Sequence, residues 1–365
     1  MAVSDRLIIN LSILFSRPTG IGNYATNLFP YLKSLTPTLL ASRDYPDFNC
    51  YSVPNNLTPA DGSTGHLRRL VWTQLQLPKI YKYLKSRLLF SPIPEAPLYT
   101  KCRFIVTSLD LIPLRFPNRR SPLSAYHKYY TPEVFKQSQH IICISESTAK
   151  DITRFYGIPS NKITPILLAH DSDHFRPVIE EESQSQSQAP YFLYIGRHDP
   201  YKNISRLISA FANLPSSHEY QLWLAGPSDD RYTPALKTQI QELGITHQVK
   251  FLDYVPYDQL PKIISSAISL VFPSLWEGFG LPVLEAMACG TPVITSNLAS
   301  MPEVAGDAAI LIDPYNINQI ADAMRMVAED SQLQSKLRQL GLDRAKQFSW
   351  EKTGKATAMV LERYL

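Results

Sequence analysis

Short apolar runs alternate with longer helix-forming segments from Tyr191 onward, and this alternation constrains the fold more than any other feature. An apolar run bounded by polar residues or glycine predicts a buried strand, and each amphipathic stretch between two runs predicts a helix. The predicted strands are 191–196, 221–226, 249–252, 268–272 and 291–295, and the predicted helices are 203–214, 234–243, 257–267 and 317–329. Such alternation forms βαβ crossovers, so this half is predicted to be a doubly wound parallel sheet with helices on both faces.

The first half shows a less regular version of the same pattern. It predicts strands at 6–15, 88–90, 104–107 and 140–144, with a helix starting at about Asn23. A chain of 365 residues is long enough for two domains with separate cores. We therefore predict an α/β fold with domains at 1–172 and 173–346 and a last helix within 347–365. The polar, low-complexity residues 181–190 predict a surface segment just after the hinge.

Composition excludes several classes of protein. Hydrophobic residues make up 44% and charged residues 19% of the chain, which is ordinary for a globular protein. A net charge of +4 gives no reason to expect a nucleic-acid partner. Cys50, Cys102, Cys143 and Cys289 have no metal-ligand spacing, which favours reduced thiols in the cytoplasm. No signal peptide is expected, and no run approaches the roughly 20 apolar residues of a membrane span.

A basic stretch at residues 67–90 breaks the even distribution of charge. Between Asp61 and Glu95 there is no acidic residue, and lysines and arginines interleave with apolar residues in LPKIYKYLKSRLLF. This pattern is typical of helices that lie on a membrane surface. The alternative is a solvated helix whose apolar face packs on its own domain, and the sequence leaves both open. If the first interpretation holds, the protein is peripheral on the inner face of the plasma membrane.

The segment SLWEGFGLPVLEAMACGTPVI, residues 274–294, carries the clearest chemistry. It follows a predicted strand, turns at Gly-Phe-Gly and opens a helix, so unpaired backbone N–H groups and the helix dipole favour an anion there. Glu277 and Glu285 can accept hydrogen bonds from hydroxyls. An anion that carries several hydroxyls describes a nucleotide sugar.

A second loop, GRHDPYKN, follows the strand at 191–196 and adds two cations. Arg197 and Lys202 precede a helix, and both can reach one anion and stabilise a diphosphate leaving group without a metal ion. Taken alone, they are better explained as two exposed basic residues, which is the commonest fate of arginine and lysine. Because both loops follow strands, they meet at the same edge of a parallel sheet, which favours a shared anion site.

Taken together, the two loops resemble the donor-binding half of family 4 glycosyltransferases. The similarity extends to TGIGNYATNL, LDLIPLRFP, CISESTAKDI and HFRP, and so covers most of the chain. Members of this family are retaining enzymes of the GT-B architecture. The resemblance therefore implies two Rossmann-like domains that face each other across a deep cleft, with a C-terminal helix that crosses back to the first domain.

The resemblance also implies roles for individual residues. Arg197 and Lys202 would contact the donor diphosphate, Glu285 the ribose hydroxyls, and Glu277 the hydroxyls of the transferred sugar as a positioning group rather than a nucleophile. The catalytic set is then Arg197, Lys202 and Glu277, with no metal and no cofactor other than the donor substrate. Further donor contacts are implied for the backbone around Gly278, Phe279, Gly280 and Leu281, for the base-binding Tyr254 and Val255, and for Gly20 and Gly22 in a loop that closes over the phosphates.

The chain departs from the family pattern at one position of the first domain. The family often has histidine in a VTxHD motif near the transferred sugar, whereas this chain has Leu109 followed by Asp110. Leucine cannot donate a hydrogen bond to a hydroxyl. His170 is a candidate to donate this hydrogen bond instead. The favoured interpretation, however, is that His170 is a hinge residue whose ring is hydrogen-bonded to the backbone. Candidate residues on the acceptor or sugar side are Asp110, Glu146 and His170.

Two further short patterns carry less weight. Asp171-Ser172-Asp173 matches a DxD metal motif of another glycosyltransferase fold, and its place at the hinge favours coincidence. Ser145 precedes a predicted helix and is expected to be its N-cap.

The expected function is a retaining, metal-independent hexosyltransferase. The favoured donor is UDP-glucose, and the acceptor is a polysaccharide or a lipid-linked oligosaccharide in envelope or exopolysaccharide biosynthesis. One alternative is a GDP-mannose-dependent mannosyltransferase, and another is a catalytically weak partner subunit that binds sugar nucleotides. A Rossmann oxidoreductase is disfavoured because no GxGxxG follows the first strand.

Overall fold

The structure is a computed structural model, and it describes residues 7–14, 20–58, 62–117, 122–178, 189–215 and 219–365. Residue contacts divide the chain into two units. The first comprises Met1–Leu168 together with Trp350–Leu365, and the second comprises Ala169–Ser349. Most of the low-complexity segment at 181–190 lies outside the described residues.

The first unit is built on a parallel sheet whose described strands follow the order β3-β2-β1-β4-β5-β6-β7. β1 pairs on one side with β2 and on the other with β4, so the sheet reverses its winding direction between β1 and β4. Apolar side chains from these strands, among them Ile8, Leu40 and Leu89, are buried in one core. The strands are β1 Leu7–Asn10, β2 Thr38–Ala41, β3 Asn49–Ser52, β4 Leu88–Ser91, β5 Phe104–Ser108, β6 His140–Cys143 and β7 Ile163–Pro165.

The second unit repeats this plan with the order β10-β9-β8-β11-β12-β13 among its described strands. All pairings are parallel, and the winding reverses between β8 and β11. The strands are β8 Tyr191–Ile195, β9 Gln221–Ala225, β10 Val249–Asp253, β11 Ser269–Phe272, β12 Val293–Ser296 and β13 Ile310–Ile312. Both units are therefore Rossmann-like, and the predicted α/β fold class is confirmed.

Helices connect the strands in both units. Those of the first unit are α1 Gly20–Leu28, α2 Gly62–Leu75, α3 Leu77–Tyr83, α4 Ile112–Arg115, α5 Pro122–Ala125, α6 Thr131–Gln137, α7 Glu146–Tyr156 and α15 Trp350–Glu362. Those of the second are α8 Ile204–Ala212, α9 Thr233–Glu242, α10 Leu260–Ser265, α11 Leu281–Ala288, α12 Met301–Ala305, α13 Ile317–Glu329 and α14 Ser331–Ala345. Single turns of 3₁₀ helix occur at Ser160–Lys162, Pro200–Lys202 and Tyr257–Gln259, a longer 3₁₀ stretch at Phe29–Leu35, and a π-helix at Tyr126–Tyr130. No described helix is long and apolar enough to cross a bilayer.

Local sequence signals explain where several helices begin and end. Ser145 accepts a hydrogen bond from the Thr148 N–H and caps α7, as predicted, while Gly157 ends it with a left-handed φ of 66°. Asn316 and Asp330 cap α13 and α14 in the same way. These side chains satisfy N–H groups that have no partner within their helix.

The last helix belongs to the first unit, as the resemblance implies. Its Trp350 ring packs against Tyr24 at a centroid distance of 6.4 Å, and Thr353 Oγ1 donates to the Leu167 carbonyl. A Cβ at Gly354 would overlap the Tyr31 side chain, so glycine lets α15 approach the segment Phe29–Leu35 closely. The C-terminal residues therefore complete the core of the unit that begins the chain.

The sequence-based boundaries need several corrections. The first strand ends at Asn10, because residues 11–14 leave the sheet, while Arg6 and Phe15 lie outside the described residues. The first helix begins at Gly20 rather than at about Asn23. Four strands (β2, β3, β7 and β13) and two helices of the second unit (α12 and α14) have no counterpart among the predicted elements. These strands are only three or four residues long, and two of the four residues of β3 are exposed.

Candidate functional site

The loop between β11 and α11 is buried and tightly fixed. Ser300 Oγ lies 3.0 Å from the Glu277 carbonyl oxygen and 2.8 Å from that of Phe279. Gly280 adopts φ +110°, and a Cβ there would overlap Cε of Met301. α11 starts at the next residue without a side-chain N-cap. The loop thus presents an uncapped helix N-terminus, which favours an anion, on a rigid support.

Lys202 and Glu277 form an ion pair at this loop, with Nζ 2.6 Å from Oε1. Both side chains are largely buried, at 13% and 10% exposure. The Lys202 ammonium also lies 5.3 Å from the centre of the Phe272 ring. The structure therefore brings together one predicted phosphate ligand and one predicted sugar ligand, and it joins them directly.

Asn203 holds the Lys202 loop against the neighbouring strands. It adopts a left-handed φ of 64°, and its side-chain amide donates to the carbonyls of Pro273, at 3.0 Å, and Pro314, at 2.7 Å. Sequence reasoning missed this residue. An asparagine directly after a basic loop and before a helix is the signal that could have found it, because asparagine tolerates the left-handed region.

Arg197 does not join the Lys202–Glu277 pair. Its side chain is 63% exposed, and its Nε lies 3.0 Å from Oδ2 of Asp199. The close approach of its loop to the next strand depends on glycine, because a Cβ at Gly226 would overlap the Gly196 carbonyl. The two predicted phosphate ligands thus share an edge of the sheet, each with its own carboxylate partner.

Glu285 lies on α11, half-buried, and within the described part of the chain no ion-pair partner is found for it. Burial raises the pKa of its carboxyl group from 4.5 to about 7. A carboxylate that lacks a counter-charge has unused capacity to accept hydrogen bonds from hydroxyls. This environment suits the predicted role of Glu285 as a ribose ligand.

The remaining donor-site candidates differ in exposure. Tyr254 is 74% exposed after β10, and Val255 next to it is half-buried. The Phe279 side chain is buried against Phe348, with ring centroids 6.1 Å apart, so only its backbone is available to a ligand. Gly278 is buried and Leu281 half-buried in the same turn.

Gly20 and Gly22 lie in the first turn of α1 rather than in a loop. Residues 15–19, which precede them, are outside the described residues. The predicted phosphate-closing loop is therefore helical at both glycines.

The candidates of the acceptor or sugar side lie in different places. Asp110 Oδ1 accepts a hydrogen bond from the Ile112 N–H, and together with Leu109 it lines a cavity of about 280 Å³ in the first unit. Glu146 is the exposed first residue of α7. His170 belongs to the second unit, where burial lowers its imidazole pKa.

The expectation that the backbone satisfies His170 is wrong for one ring nitrogen. Its buried Nδ1 has no hydrogen-bond partner among the described residues. The neighbouring Asp171 carboxylate already has hydrogen-bond partners. Its Oδ1 accepts from the N–H groups of Asp173 and His174, and the Tyr257 hydroxyl contacts its Oδ2. In the described ranges, no group of three or more His, Cys, Asp or Glu side chains has the geometry of a metal site.

Comparison with known proteins gives the family. Residues 175–344 match the family described as Glycosyl transferases group 1, and residues 18–173 match Glycosyltransferase Family 4. An Escherichia coli protein named O-antigen chain mannosyltransferase B is 34% identical over 60% of this chain and 59% of its own length. The Salmonella typhimurium O-antigen chain mannosyltransferase RfbU is 27% identical over 87% of this chain and 92% of its own length.

A solved structure shows the same fold at lower sequence identity. Alr3699/HepE of Anabaena, in complex with UDP-glucose, has a TM-score of 0.74 and 16% identity, and the match covers 98% of this chain and 99% of that one. The two Rossmann-like units are those of the GT-B fold, and the two family matches together extend over nearly the whole chain. The chain therefore belongs to the group 1, family 4 glycosyltransferases.

Proposed function

We propose that the protein is a retaining, metal-independent hexosyltransferase that moves a sugar from a nucleotide diphosphate to a glycan acceptor. The observation that carries the proposal is the Lys202–Glu277 pair beside the uncapped N-terminus of α11. A cation, a helix N-terminus and a carboxylate at one position match a diphosphate and the hydroxyls of the sugar attached to it.

The chemistry uses these groups without an enzyme nucleophile. The donor breaks the Lys202–Glu277 ion pair, after which the ammonium contacts the diphosphate and the carboxylate accepts from sugar hydroxyls. The bond between the anomeric carbon and the phosphate oxygen breaks, and a bond from that carbon to the acceptor oxygen forms. The acceptor proton passes to the departing phosphate, whose charge Lys202 and the helix N-terminus stabilise.

The transferred sugar and the nucleobase distinguish two versions of the proposal. Two relatives carry the name O-antigen chain mannosyltransferase, which supports GDP-mannose, whereas the similar Anabaena structure holds UDP-glucose. Because those relatives are 34% and 27% identical to this chain, against 16% for the Anabaena protein, we favour mannose transfer in O-antigen or related polysaccharide synthesis. UDP-glucose, the donor expected in the sequence analysis, is the second candidate.

Release of nucleoside diphosphate from GDP-mannose, UDP-glucose, UDP-galactose and UDP-N-acetylglucosamine tests the proposal. We expect release from GDP-mannose, with a rate that falls by about 100-fold or more in Lys202→Met, as for other groups that stabilise transition-state charge. Lys237→Met, which alters a lysine on α9 outside the loop, is the matched control and should retain the wild-type rate. Absence of release from every donor at high enzyme concentration would overturn the proposal.

We further propose that α2 and α3 rest on an anionic membrane surface. Leu67, Val71 and Leu75 are exposed and recur every four residues, so they form one apolar stripe on α2. Arg68 on α2 and Lys79 on α3 are exposed nearby, whereas Arg69 is buried and paired with Glu95 and cannot contribute. An apolar stripe beside cations is the composition of interfacial helices.

Co-sedimentation with phosphatidylcholine vesicles, with and without phosphatidylglycerol, tests the membrane proposal. We expect binding that requires phosphatidylglycerol and is lost in Leu67→Ser/Val71→Ser. Leu243→Ser, at an exposed leucine of the second unit, is the control and should bind normally. Equal binding of wild type and the double variant would contradict the proposal.

Leu109 supports a different candidate, a catalytically weak subunit that binds sugar nucleotides. The side chain is half-buried and lines a cavity of the first unit without offering a hydrogen bond. Tight nucleotide binding by a wild type that shows no turnover, with activity gained in Leu109→His, would favour this candidate over the hexosyltransferase.

A further inference from the structure

A groove of the second unit lies on the face of its sheet opposite to α11. β8–β10 and β11–β13 extend the sheet in opposite directions, so right-handed crossovers place α8 and α9 on one face and α11 and α12 on the other. The helix contacts agree, because α8 packs against α9 and α13 while α11 packs against α12 and α14. The groove lies between the first turns of α8 and α9 and has a volume of about 440 Å³, within the range for ligand sites. We call it the Arg206 groove.

The Arg206 groove is separate from the proposed donor site. Its lining includes His198, Asp199 and Asn203 of the loop that carries Lys202, but neither Lys202 nor Glu277. The loop thus contributes Lys202 to the pair with Glu277 on one side and His198 to the groove on the other. A ligand in the groove would not occupy the position of the donor diphosphate.

Arg206 gives the groove a cation that no carboxylate neutralises within the described residues. It is half-buried, and its Nη1 donates to Oδ1 of Asn203 at 2.8 Å. Arg231, which lines the groove from the α9 side, is paired with Asp229 at 2.6 Å. α8 begins at Ile204 without a side-chain N-cap, so its dipole also favours a negative charge in the groove. Guanidinium groups bind phosphate oxygens more strongly than neutral donors do.

The carboxylate of Asp199 lines the groove as well, and its charge is balanced. Arg197 Nε lies 3.0 Å from Asp199 Oδ2. Asp199 and Asp229 are thus paired with Arg197 and Arg231, respectively. Among the charged groups that line the groove and their partners, Arg206 is left as a positive charge in excess. This excess favours a ligand with a negative group over a neutral one.

His198 adds a hydrogen-bond donor to the groove. The ring is 3% exposed and is part of the lining, and its Nδ1 lies 2.8 Å from Oγ1 of Thr233. This Oγ1 accepts from the Asp229 N–H, so the fewest groups stay unpaired when the hydroxyl donates to Nδ1 and the ring proton is on Nε2. Nε2 is buried and has no hydrogen-bond partner among the described residues. Burial lowers the pKa of the imidazole, while nearby Asp253 and Lys237 act on it in opposite directions, so the ring is neutral at pH 7.

We infer that the Arg206 groove binds a phosphate group, free or as the monoester of a sugar, whose oxygens accept from Arg206, from the first turn of α8 and from His198 Nε2. A phosphate oxygen would satisfy the buried N–H of His198, which otherwise costs free energy. The groove is larger than a phosphate group, and Ser205, Ser209 and Tyr232, which carry hydroxyls, are also in its lining. This composition suits a sugar as the rest of the ligand. The inference goes beyond the proposed function and does not depend on it.

The rise in the thermal midpoint with mannose 6-phosphate, measured at constant ionic strength against each protein's own ligand-free value, tests this inference. We expect a rise in the wild type, because a ligand that binds only the folded state stabilises it. Arg206→Met removes the cation in excess and should raise the Kd about tenfold or more. His198→Phe, which keeps a buried ring but removes Nε2, should raise the Kd about fivefold. Arg325→Met, at an exposed arginine of α13, is the matched control and should retain the wild-type Kd.

Lys202→Met separates the groove from the proposed donor site, because it removes the cation of that site alone. It should keep the wild-type rise with mannose 6-phosphate. A rise that is lost in Lys202→Met but retained in Arg206→Met, or no rise in the wild type, would overturn the inference.

Inorganic phosphate and unphosphorylated mannose distinguish the possible sources of the ligand. Inorganic phosphate that acts as strongly as the ester identifies free phosphate as the ligand, and a weaker effect identifies the sugar ester. A rise with mannose equal to that with mannose 6-phosphate would contradict a phosphate site. The proposed function is judged separately, by the release of nucleoside diphosphate from nucleotide sugars.

Discussion

Lys202 Nζ contacts Glu277 Oε1 in the second unit, so each of these side chains neutralises the other in the free protein. Both are largely buried, and separation of the pair without a ligand would leave two poorly solvated charges. In the proposed donor complex a nucleotide sugar would replace both partners at once, since the diphosphate is an anion for Lys202 and the sugar offers hydroxyls to Glu277. The free protein therefore holds both side chains close to the positions in which the donor would meet them.

Asn203 should stabilise this arrangement through its side chain. Asn203→Gly keeps the left-handed backbone but removes the hydrogen bonds to Pro273 and Pro314, so the free energy of unfolding should fall by about 1–3 kcal/mol. Asn203→Ala also places a Cβ atom in the left-handed region, so its free energy of unfolding should be about 1 kcal/mol lower than that of Asn203→Gly. Urea denaturation measures both changes, and two variants as stable as the wild type would show that Asn203 does not fix the loop.

Gly280 should not tolerate a side chain. Its φ of +110° is strained for any other residue, and the new Cβ would overlap Met301, so Gly280→Ala should destabilise the protein by about 1–3 kcal/mol. Gly244→Ala is the matched control, because Gly244 has φ +70° and no atom lies near its Cβ position. Thermal denaturation should show a clearly larger loss at Gly280, whereas equal losses would argue against the close approach to Met301.

Replacement of Glu285 should stabilise the free protein at high pH. The pKa of Glu285 in the folded state is about 7, above its ordinary value of 4.5. The free energy of unfolding therefore falls as pH rises from 4.5 to 7 and remains at the lower value above pH 7. The difference corresponds to a penalty of about 3 kcal/mol that Glu285→Gln removes. We expect a higher free energy of unfolding for Glu285→Gln at pH 8 and little change at pH 4.5. Glu242→Gln, at an exposed site on α9, is the control, and a pH-independent effect of Glu285→Gln would contradict the prediction.

Donor binding should respond to pH through the same group. In the proposed donor site, ribose hydroxyls would donate to the ionised Glu285 carboxylate, which forms as pH rises through about 7 in the free protein. Calorimetry with GDP and UDP should therefore show affinity that increases between pH 6 and pH 8, with release of protons below pH 7. In Glu285→Gln the affinity should be weaker and the slope should flatten. An unchanged slope in that variant would assign the pH dependence to another group.

Most of the described strands and the chemistry-bearing loops could be predicted because they follow regular apolar periodicity. The alternation after Tyr191 placed Lys202 and Glu277 at one edge of one sheet, and the structure joins them. β3 could not be predicted, since Asn49–Ser52 is a short polar strand at the edge of its sheet. Periodicity gives no information about pairs that only the tertiary fold creates.

The Arg69–Glu95 ion pair illustrates this limit. Arg69 meets Glu95 across 26 positions, so a residue taken from the sequence as part of a basic surface is buried instead. The Arg197–Asp199 pair is different, because its partners are two positions apart in the sequence, and sequence reasoning overlooked Asp199 as a competitor of phosphate for Arg197. The π-helix that carries His127 has no sequence signature of its own.

The affinity for nucleoside diphosphate, compared with that for the intact nucleotide sugar, tests whether the Lys202–Glu277 pair forms the donor site. Lys202→Met should weaken the binding of both kinds of ligand. Glu277→Gln should weaken the binding of GDP-mannose or UDP-glucose about tenfold relative to the binding of GDP or UDP, because only the intact donor carries the transferred sugar. Calorimetry measures both kinds of ligand on four proteins, which are the wild type, Lys202→Met, Glu277→Gln and the control Lys237→Met. We expect this difference between the two variants. Wild-type affinity for all ligands in both variants would contradict a donor site built on the Lys202–Glu277 pair.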